Sequence, residues 1–276
     1  MDKWEYIVCI SKASDKYGDK LEEMMERYNR INLQEITYIE AKEFWEELKD
    51  EMEGIKMAVN VKSSTRDVDE LNPLVKIMLN SALSRIKNKD IAPLVVETYR
   101  PKLRQYYLYG QGRTVSACVG AGVPRKYAQQ YARSGAKVTW TLNSIHIKRC
   151  AVDLIPQRKG QPIWNSQDKD TKKIIEIMES VGFEAGANWS SSPDSPHFQV
   201  LGIGTKTKNF TKKNANKYIV KMIQKKLKKA GFYDNYTVDG NWGKATTNAI
   251  KKWKKSLGWR KTAKIGTMAL KKLLSY

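Results

Sequence analysis

Residues 144–153 read Ser-Ile-His-Ile-Lys-Arg-Cys-Ala-Val-Asp, and a second short segment, residues 194–197, reads Asp-Ser-Pro-His. These two segments contain both histidines of the 276-residue chain. Asp153 follows His146 by seven residues, and the second segment begins with an aspartate three residues before its histidine. Two imidazoles and a carboxylate can bind a catalytic zinc that keeps one position open, and a further carboxylate can move protons beside it. The spacing alone leaves open that these are two ordinary histidines.

The residues around the histidines resemble those of the zinc peptidases that cut bacterial cell-wall peptides. That family includes D-alanyl-D-alanine carboxypeptidases of the vancomycin-resistance type and L-alanyl-D-glutamate endopeptidases of phage endolysins. Its pattern Ser-x-His-x-x-Gly-x-Ala-x-Asp fits residues 144–153, except that Arg149 replaces the glycine. Two further blocks fit in the same order, Thr-Tyr-Arg-Pro with a later Leu-Tyr-x-Gln-Gly-Arg in residues 98–113, and Asp-x-Pro-His-Phe-Gln at residues 194–199. The resemblance covers about residues 66–202.

The resemblance implies a zinc ion held by His146, Asp153 and His197, with attack on the peptide bond by a zinc-bound water. It gives Asp194 the role of general base and then of acid toward the leaving amine, where the plain alternative is a loop cap. It directs Arg100 at the substrate carbonyl or carboxylate, where the alternative is a surface salt bridge. Two polar residues, Ser144 and Gln199, are expected to support the ligands or merely to pack.

Two residues of the first segment raise separate questions. Cys150 lies four residues after His146, so a thiolate ligand is a less favoured alternative to Asp153. A glycine at position 149 would permit a positive φ or a close backbone approach. Arg149 is therefore expected to strain its loop or to project into the cleft, which affects substrate geometry more than metal binding.

Hydrophobic periodicity predicts three units. Residues 1–62 predict a small α/β unit without a recognisable functional motif. Residues 63–205 predict the catalytic domain, of the α+β class, with helices packed on a mixed, mostly antiparallel sheet. Its expected elements are a helix capped by Asp69, strands at residues 93–100, 137–142, 150–155 and 197–201, and a helix at residues 168–181.

The C-terminal part, residues 212–276, follows a Gly/Thr/Lys-rich segment at residues 202–213 that predicts a linker. Three apolar stripes predict three helices, and Asp-Gly-Asn-Trp-Gly at residues 239–243 resembles the turn of the small three-helix peptidoglycan-binding domain of wall hydrolases. The expected wall contacts are Tyr233, Trp242 and Trp253. Core packing is the alternative for Trp253, and Trp242 is also expected to anchor the turn on the helices.

Positive charge is concentrated in this last part of the chain. Lys and Arg outnumber Asp and Glu by 50 to 29 overall, and residues 206–276 hold 20 basic and 2 acidic side chains. Such asymmetry predicts a module that meets a polyanion. Bacterial peptidoglycan with its anionic wall polymers is the expected partner. A nucleic-acid-binding protein is the non-enzyme alternative, and it is less favoured because it leaves both histidine segments unexplained.

The remaining composition bears on location. Three cysteines, Cys9, Cys118 and Cys150, suit synthesis in a reducing compartment. The first residues lack a signal-peptide pattern, and no apolar run approaches the roughly 18 residues of a membrane span. The sequence therefore predicts a zinc peptidase made in the host bacterial cytoplasm, without membrane insertion, that reaches the wall through holin-type release or lysis. Cleavage of the L-Ala-D-Glu bond by an endolysin is the favoured activity, and D-Ala-D-Ala carboxypeptidase is the second candidate.

Overall fold

The computed structural model describes residues 61–276, and this part of the chain divides into two compact units. One unit contains residues 61–63 and Pro101–Val138, and the other contains Ser64–Arg100 and Thr139–Tyr276. The N-terminal unit predicted at residues 1–62 lies outside the described residues except for its last two. The predicted catalytic domain is thus shared between the two units, and the C-terminal module belongs to the same unit as its larger part.

Short helices and short strands alternate along the described chain. The helices are α1 (Pro73–Lys87), α2 (Lys102–Gly110), α3 (Val115–Gly120), α4 (Arg125–Tyr131), α5 (Lys169–Ser180), α6 (Lys217–Lys229), α7 (Lys244–Ser256) and α8 (Thr267–Leu274). The strands are β1 (Ala92–Glu97), β2 (Ala151–Arg158), β3 (Gln161–Pro162), β4 (Glu184–Ala185), β5 (His197–Gln199), β6 (Asn209–Phe210) and β7 (Ile265–Gly266). Single turns of 3₁₀ helix occupy Val68–Glu70 and Gly186–Asn188. None of the helices from residue 61 onward is long and apolar enough to cross a membrane.

The main sheet has five antiparallel strands in the order β1-β2-β5-β4, and β3 pairs with the end of β2. α1 and α5 pack against this sheet and against each other. This arrangement confirms the predicted α+β class. The start of α1 differs from the prediction, because its cap is Asn72, whose Oδ1 accepts a hydrogen bond from the Leu74 amide at 2.9 Å, and not Asp69.

The strand predicted at residues 137–142 is wrong, because these residues have irregular backbone structure. Val138 and Trp140 alternate with polar residues as a strand would, but their side chains are exposed by 59% and 67%. β-branched and aromatic residues favour a strand only where a neighbouring strand and a buried face receive them. His146 is therefore presented by a turn and not by the end of a strand.

The segment at residues 202–213 is not a free linker. β6 lies within it and pairs with β7 of the C-terminal module, and Phe210 is fully buried. The Asn72 side-chain amide donates to the carbonyl oxygens of Gly204 and Thr207 at 2.8 and 2.9 Å. The Gly/Thr composition indicates an irregular path here, and these hydrogen bonds fix that path.

One hydrophobic core joins the main sheet to the C-terminal module. α8 packs against α1, and the Arg85 guanidinium of α1 donates to the Leu274 carbonyl of α8 at 2.8 Å. α5 ends just before Gly182, where an added Cβ would come within 3.0 Å of the Ile219 side chain of α6. Since these groups touch directly, α6, α7 and α8 are built onto the main sheet.

The three aromatic residues expected to contact the wall belong to this core. Tyr233, Trp242 and Trp253 are exposed by only 3%, 6% and 0%. Their polar atoms also have partners inside the protein, Gln224 for the tyrosine hydroxyl, Thr247 and Tyr276 for the indole nitrogens. This burial favours core packing for all three residues. Their role in wall binding stays a prediction, and the small exposed area of their side chains argues against it.

Candidate active site

Three neighbouring strands place acidic and imidazole side chains in one row across the sheet. The register pairs Glu97 of β1 with Asp153 of β2, and Asp153 with His197 of β5. Because directly opposed residues point to the same face of a sheet, Asp153 lies between the other two side chains. A register irregularity in β1 between Val95 and Glu97 brings the glutamate into this row.

His146 reaches the same face from the turn that precedes β2. The Ser144 hydroxyl accepts a hydrogen bond from the His146 amide at 3.3 Å, and the Arg149 amide closes the turn on the His146 carbonyl at 3.0 Å. The Arg100 amide donates to the same carbonyl at 3.4 Å. Ser144 thus contacts the backbone of the turn that carries His146, and its role in supporting a metal ligand stays a prediction.

The three predicted ligands converge on one point. His146 Nε2 lies 3.2 Å from Asp153 Oδ1 and 3.2 Å from His197 Nδ1, and the last two atoms are 3.1 Å apart. Ligand atoms about 2.0–2.1 Å from a tetrahedral zinc lie about 3.3–3.4 Å from one another. This near-equilateral triangle of two nitrogens and one oxygen therefore has both the size and the chemistry of a zinc site.

Hydrogen bonds on the outer side of each imidazole fix its tautomer. His146 Nδ1 lies 2.7 Å from the Thr98 carbonyl oxygen, so this nitrogen carries the proton and Nε2 presents a lone pair. His197 Nε2 lies 3.2 Å from Gln199 Oε1, and the Gln199 amide group donates to Glu184 at 3.3 Å. The glutamate orients the glutamine as an acceptor, which leaves His197 Nδ1 as the second lone pair. Gln199 thus contacts the His197 imidazole, and its role in supporting a metal ligand stays a prediction.

Without a bound cation, the three side chains of this cluster can stay in contact only by sharing protons. Burial alone would raise the pKa of Asp153, but the charges and hydrogen bonds of His146 and His197 hold it well below its usual range. Burial lowers the pKa of His197, and the bond to Asp153 together with the aspartate charge raises it above its usual value. Three acceptor atoms in mutual contact need either a shared proton or a bound cation, so the donor set fits a divalent metal.

Cys150 does not join the cluster. Its side chain is fully buried, and its thiol donates to the Lys148 carbonyl at 3.1 Å. Burial raises the pKa of this thiol to about 12, so it remains protonated at neutral pH. The alternative of a thiolate ligand therefore has no support in the geometry.

Asp194 stands at the mouth of the cluster on the loop before β5. Its main chain is held on both sides, because its amide donates to the Gly186 carbonyl at 3.0 Å and its own carbonyl accepts from the His197 amide at 3.2 Å. The side chain is exposed to solvent. Partial desolvation by the surrounding protein and the negative charge of Asp153 raise the pKa of its carboxyl. An accessible carboxylate with a raised pKa, beside the cluster, is suited to exchanging protons.

Arg100 lies beside Asp153, although its closest partner is a different acid. Its guanidinium forms an ion pair with Glu97, including a bond from Nε at 3.0 Å, and its Nη2 lies 3.7 Å from Asp153 Oδ2. Asp153 therefore directs one oxygen toward the histidines and the other toward Arg100. The salt-bridge alternative is present in the structure, and the substrate-binding role stays a prediction.

Arg149 adopts the backbone conformation that the family glycine would allow, with φ at 61°. Its guanidinium pairs with Glu70 and lies 3.9 Å from the centre of the Tyr99 ring. The expected strain is thus present in the backbone. The side chain contacts Glu70 and Tyr99, and it contacts none of the three residues of the cluster.

Several residues of the site were not singled out from the sequence. Trp189 packs its ring 5.2 Å from the His197 ring, centre to centre. The Thr98 carbonyl and the Glu184 carboxylate hold the two histidine tautomers, as described above. The Thr98 partner is a main-chain carbonyl, which any residue type could supply. Glu184 stands in no distinctive sequence motif. Only the structure therefore identifies these two partners.

Comparison with known proteins matches both halves of the larger unit. Residues 137–200 match a family model described as D-alanyl-D-alanine carboxypeptidase, and residues 216–273 match one described as a putative peptidoglycan binding domain. The first match contains the complete His-Asp-His cluster and Asp194. The second contains α6, α7 and nearly all of α8.

Individual relatives match parts of the chain. A peptidoglycan L-alanyl-D-glutamate endopeptidase of Bacillus subtilis (strain 168) is 29% identical over 140 residues, 48% of this chain and 74% of that protein. An L-alanyl-D-glutamate peptidase of Listeria phage A118 is 31% identical over 103 residues, 33% of this chain and 36% of that protein. The crystal structure of a Serratia marcescens L-Ala D-Glu endopeptidase is 20% identical and covers 51% of this chain and 82% of its own, at a TM-score of 0.27.

Proposed function

The chain carries a peptidase domain of the M15 family followed by a peptidoglycan-binding domain, and from this premise we propose that it is a zinc-dependent peptidoglycan endopeptidase of the endolysin type. We propose the L-alanyl-D-glutamate bond of the wall stem peptide as its substrate, because the Bacillus and Listeria phage relatives both carry that activity in their names. The observation that carries the zinc is the triangle of lone pairs formed by His146, Asp153 and His197.

Each ligand side chain is held before any metal arrives. His146 and His197 present fixed tautomers, and Asp153 is paired with both. A preorganised ligand set saves the cost of ordering side chains when the metal binds. When bound, zinc would supply Lewis-acid polarisation of the scissile carbonyl and a more acidic water at its open position.

The proton transfers are assigned to the Asp194 carboxylate. It takes a proton from the attacking water as the new C–O bond forms, and it delivers that proton to the amide nitrogen as the C–N bond breaks. The pKa raised above the ordinary aspartate range favours a group that both accepts and returns a proton. The products are one new carboxyl end and one new amino end, with no other co-reactant.

Arg100 is proposed to orient Asp153 and to place positive charge near the carbonyl oxygen. The pair with Glu97 fixes the guanidinium, and its Nη2 lies 3.7 Å from Asp153 Oδ2. A fixed cation at a developing negative charge contributes to the rate without rearrangement during the reaction.

The test is digestion of purified peptidoglycan by the full-length protein, followed by mass spectrometry of the released ends. The proposal expects new D-glutamate amino ends, loss of activity after chelation, and recovery with zinc. Release of free D-alanine alone would assign the second candidate activity, D-Ala-D-Ala carboxypeptidase, which the description of the matching family favours.

The metal assignment has its own variants. His146→Ala and His197→Ala should each lose bound zinc and activity together. Lys148→Ala is the matched control, because its exposed side chain lies on the same turn as His146 and takes no part in the cluster. Full zinc occupancy in both histidine variants would contradict the ligand assignment.

A further inference from the structure

A second candidate site lies on the C-terminal module. A surface cavity of about 510 Å³ opens between the start of α8, the end of α7 and the segment that carries β6. Its lining includes four cationic side chains, Lys208, Lys254, Arg260 and Lys264, and no acidic one. We name this cavity the basic pocket.

Lys254 is the unusual member of the basic pocket. Its side chain is only 7% exposed, and its ammonium group donates to the Thr262 hydroxyl at 3.1 Å and to the Lys264 carbonyl. Both acceptors are neutral, and no carboxylate among residues 61–276 forms an ion pair with it. A buried charge is ordinarily paired with an opposite charge, because its removal from water is costly. An anion bound in the basic pocket would supply the opposite charge that Lys254 does not find among residues 61–276.

The backbone at the pocket also favours an anion. α8 begins at Thr267, inside the pocket lining, and its cap residue Gly266 has no side chain to accept from the first-turn amides. Free N–H groups and the positive end of the helix dipole attract negative charge. A Cβ at Gly266 would lie 2.7 Å from the Asn209 side-chain oxygen, so glycine allows β6 to approach this helix start.

Apolar groups beside the cations indicate that the anionic ligand also carries apolar parts. Met268 is 69% exposed at the pocket, and Trp259 lines it while packing edge-on against Trp253 at 5.8 Å. A polymer that alternates phosphate groups with carbon-rich polyol or sugar units would use both kinds of contact.

We propose that the basic pocket binds phosphate groups of a phosphodiester-linked polyol polymer of the bacterial wall. This identification rests on the proposed function, which brings the protein to the wall. In this proposal, the attraction of the C-terminal module for anionic polymers is concentrated at the basic pocket. Lys254 is the buried cation that contacts a phosphate group, and Arg260 and Lys264 are accessible cations at the edge of the pocket.

The test is a fluorescence titration of the full-length protein with purified polyglycerol phosphate at about 0.1 M salt, without peptide substrate. Arg260→Ala/Lys264→Ala should weaken binding at least tenfold. Lys251→Ala/Lys271→Ala removes the same charge from exposed positions outside the pocket and should weaken it less than threefold. Equal weakening by both pairs would reduce the binding to general attraction by the net charge and overturn the proposal.

Two further arms identify the anchor and the ligand. Lys254→Met should lose binding at least tenfold and should keep or raise the melting temperature, because an unpaired buried charge is removed. Wild-type affinity in a folded Lys254→Met variant would overturn the site. Duplex DNA that binds the pocket as tightly, at equal phosphate concentration, would reassign the ligand to nucleic acid. Hydrolysis of a soluble wall peptide by the wild-type protein tests the proposed peptidase function separately. Failure of the peptidase proposal is therefore distinguishable from failure of the pocket proposal.

Discussion

At the scale of single residues, Asp194, the proposed general base, carries a cost in stability. Its pKa is raised in the folded protein, so between the unfolded and folded pKa values the folded state binds more protons than the unfolded state. Stability therefore falls as pH rises through this window, and an ionised Asp194 destabilises the metal-free fold at neutral pH. Such trade-offs between stability and activity are common at catalytic groups.

Asp194→Asn should consequently act in opposite directions on activity and stability. Turnover should fall by about 10²–10⁴-fold with zinc retained, as is typical for loss of a general base. In urea unfolding of the chelated protein, the variant should be more stable than wild type at pH 7, and the difference should shrink as the pH falls toward the ordinary aspartate pKa. Wild-type turnover, or a variant less stable than wild type at pH 7, would contradict the assignment.

Arg149 tests how the chain compensates for a missing glycine. A non-glycine residue in the left-handed region costs about 1–2 kcal/mol, and the contacts with Glu70 and Tyr99 offset part of that cost. Arg149→Ala keeps the strain and loses both contacts, whereas Arg149→Gly loses the contacts and relieves the strain. Urea unfolding should place the alanine variant about 1 kcal/mol below the glycine variant. Equal stability of the two variants would show that this turn relaxes.

The residue scale also shows what a sequence can predict of such a site. Every member of the triangle was identified from residue type, spacing and family pattern, because metal ligands must be of a few kinds. Asp153 and His197 could be assigned to strands, since their segments are rich in β formers. The partners that fix the tautomers, Thr98 and Glu184, could not be predicted, because they come from strand register and from a main-chain carbonyl.

At the scale of elements, the loop that carries Asp194 depends on close packing against a glycine. A Cβ at Gly186 would lie 2.5 Å from the Asp194 carbonyl oxygen and 3.2 Å from the His197 Cβ. Backbone atoms cannot move aside as the end of a flexible side chain can. The 3₁₀ turn at Gly186–Asn188 thus holds Asp194, the proposed general base, and His197, the proposed third ligand, in one arrangement.

Gly186→Ala should displace this loop without touching a ligand. We expect zinc affinity to fall at least tenfold and turnover to fall at least 10²-fold, since small displacements of catalytic groups are costly. Gly120→Ala is the control, because none of the residues that the structure describes lies within 4 Å of its added Cβ. Isothermal titration with zinc and hydrolysis of a wall peptide measure the two effects. Wild-type values for Gly186→Ala would show that the loop adapts.

Elements differ in how well the sequence predicts them, and the difference depends on whether a core buries their apolar side chains. The helices of the C-terminal module and strands β2 and β5 were predicted because each has a strong apolar pattern that a core receives. Residues 137–142 have an equally good pattern, but Val138 and Trp140 are exposed and the backbone of this segment is irregular. The prediction for residues 202–213 was wrong in the opposite way. Their composition is that of a loop, but β6 within them is fixed by pairing with β7.

At the scale of the whole molecule, the continuous core changes what the C-terminal module is expected to do. A flexible linker at residues 202–213, as the sequence predicted, would let the chain be cut near Gly204 without affecting the chemistry. In the structure, such a cut would expose the face of α1 that α8 covers and would leave Arg85 without its Leu274 partner. The sequence could not predict this, because an apolar stripe does not state which neighbour it packs against.

A shared core also implies that a bound metal would stabilise the C-terminal module. A ligand that binds only the folded state adds RT ln(1 + [L]/Kd) to the free energy of unfolding, about 2.7 kcal/mol at 100 times Kd. If α7 opens only when the main sheet opens, zinc should slow amide exchange by a similar factor in β2 and in α7. Hydrogen exchange with and without zinc measures this, and His146→Ala should abolish the effect in both elements. Slower exchange in β2 with unchanged exchange in α7 would show that the C-terminal module unfolds by itself, despite the core that it shares with the sheet.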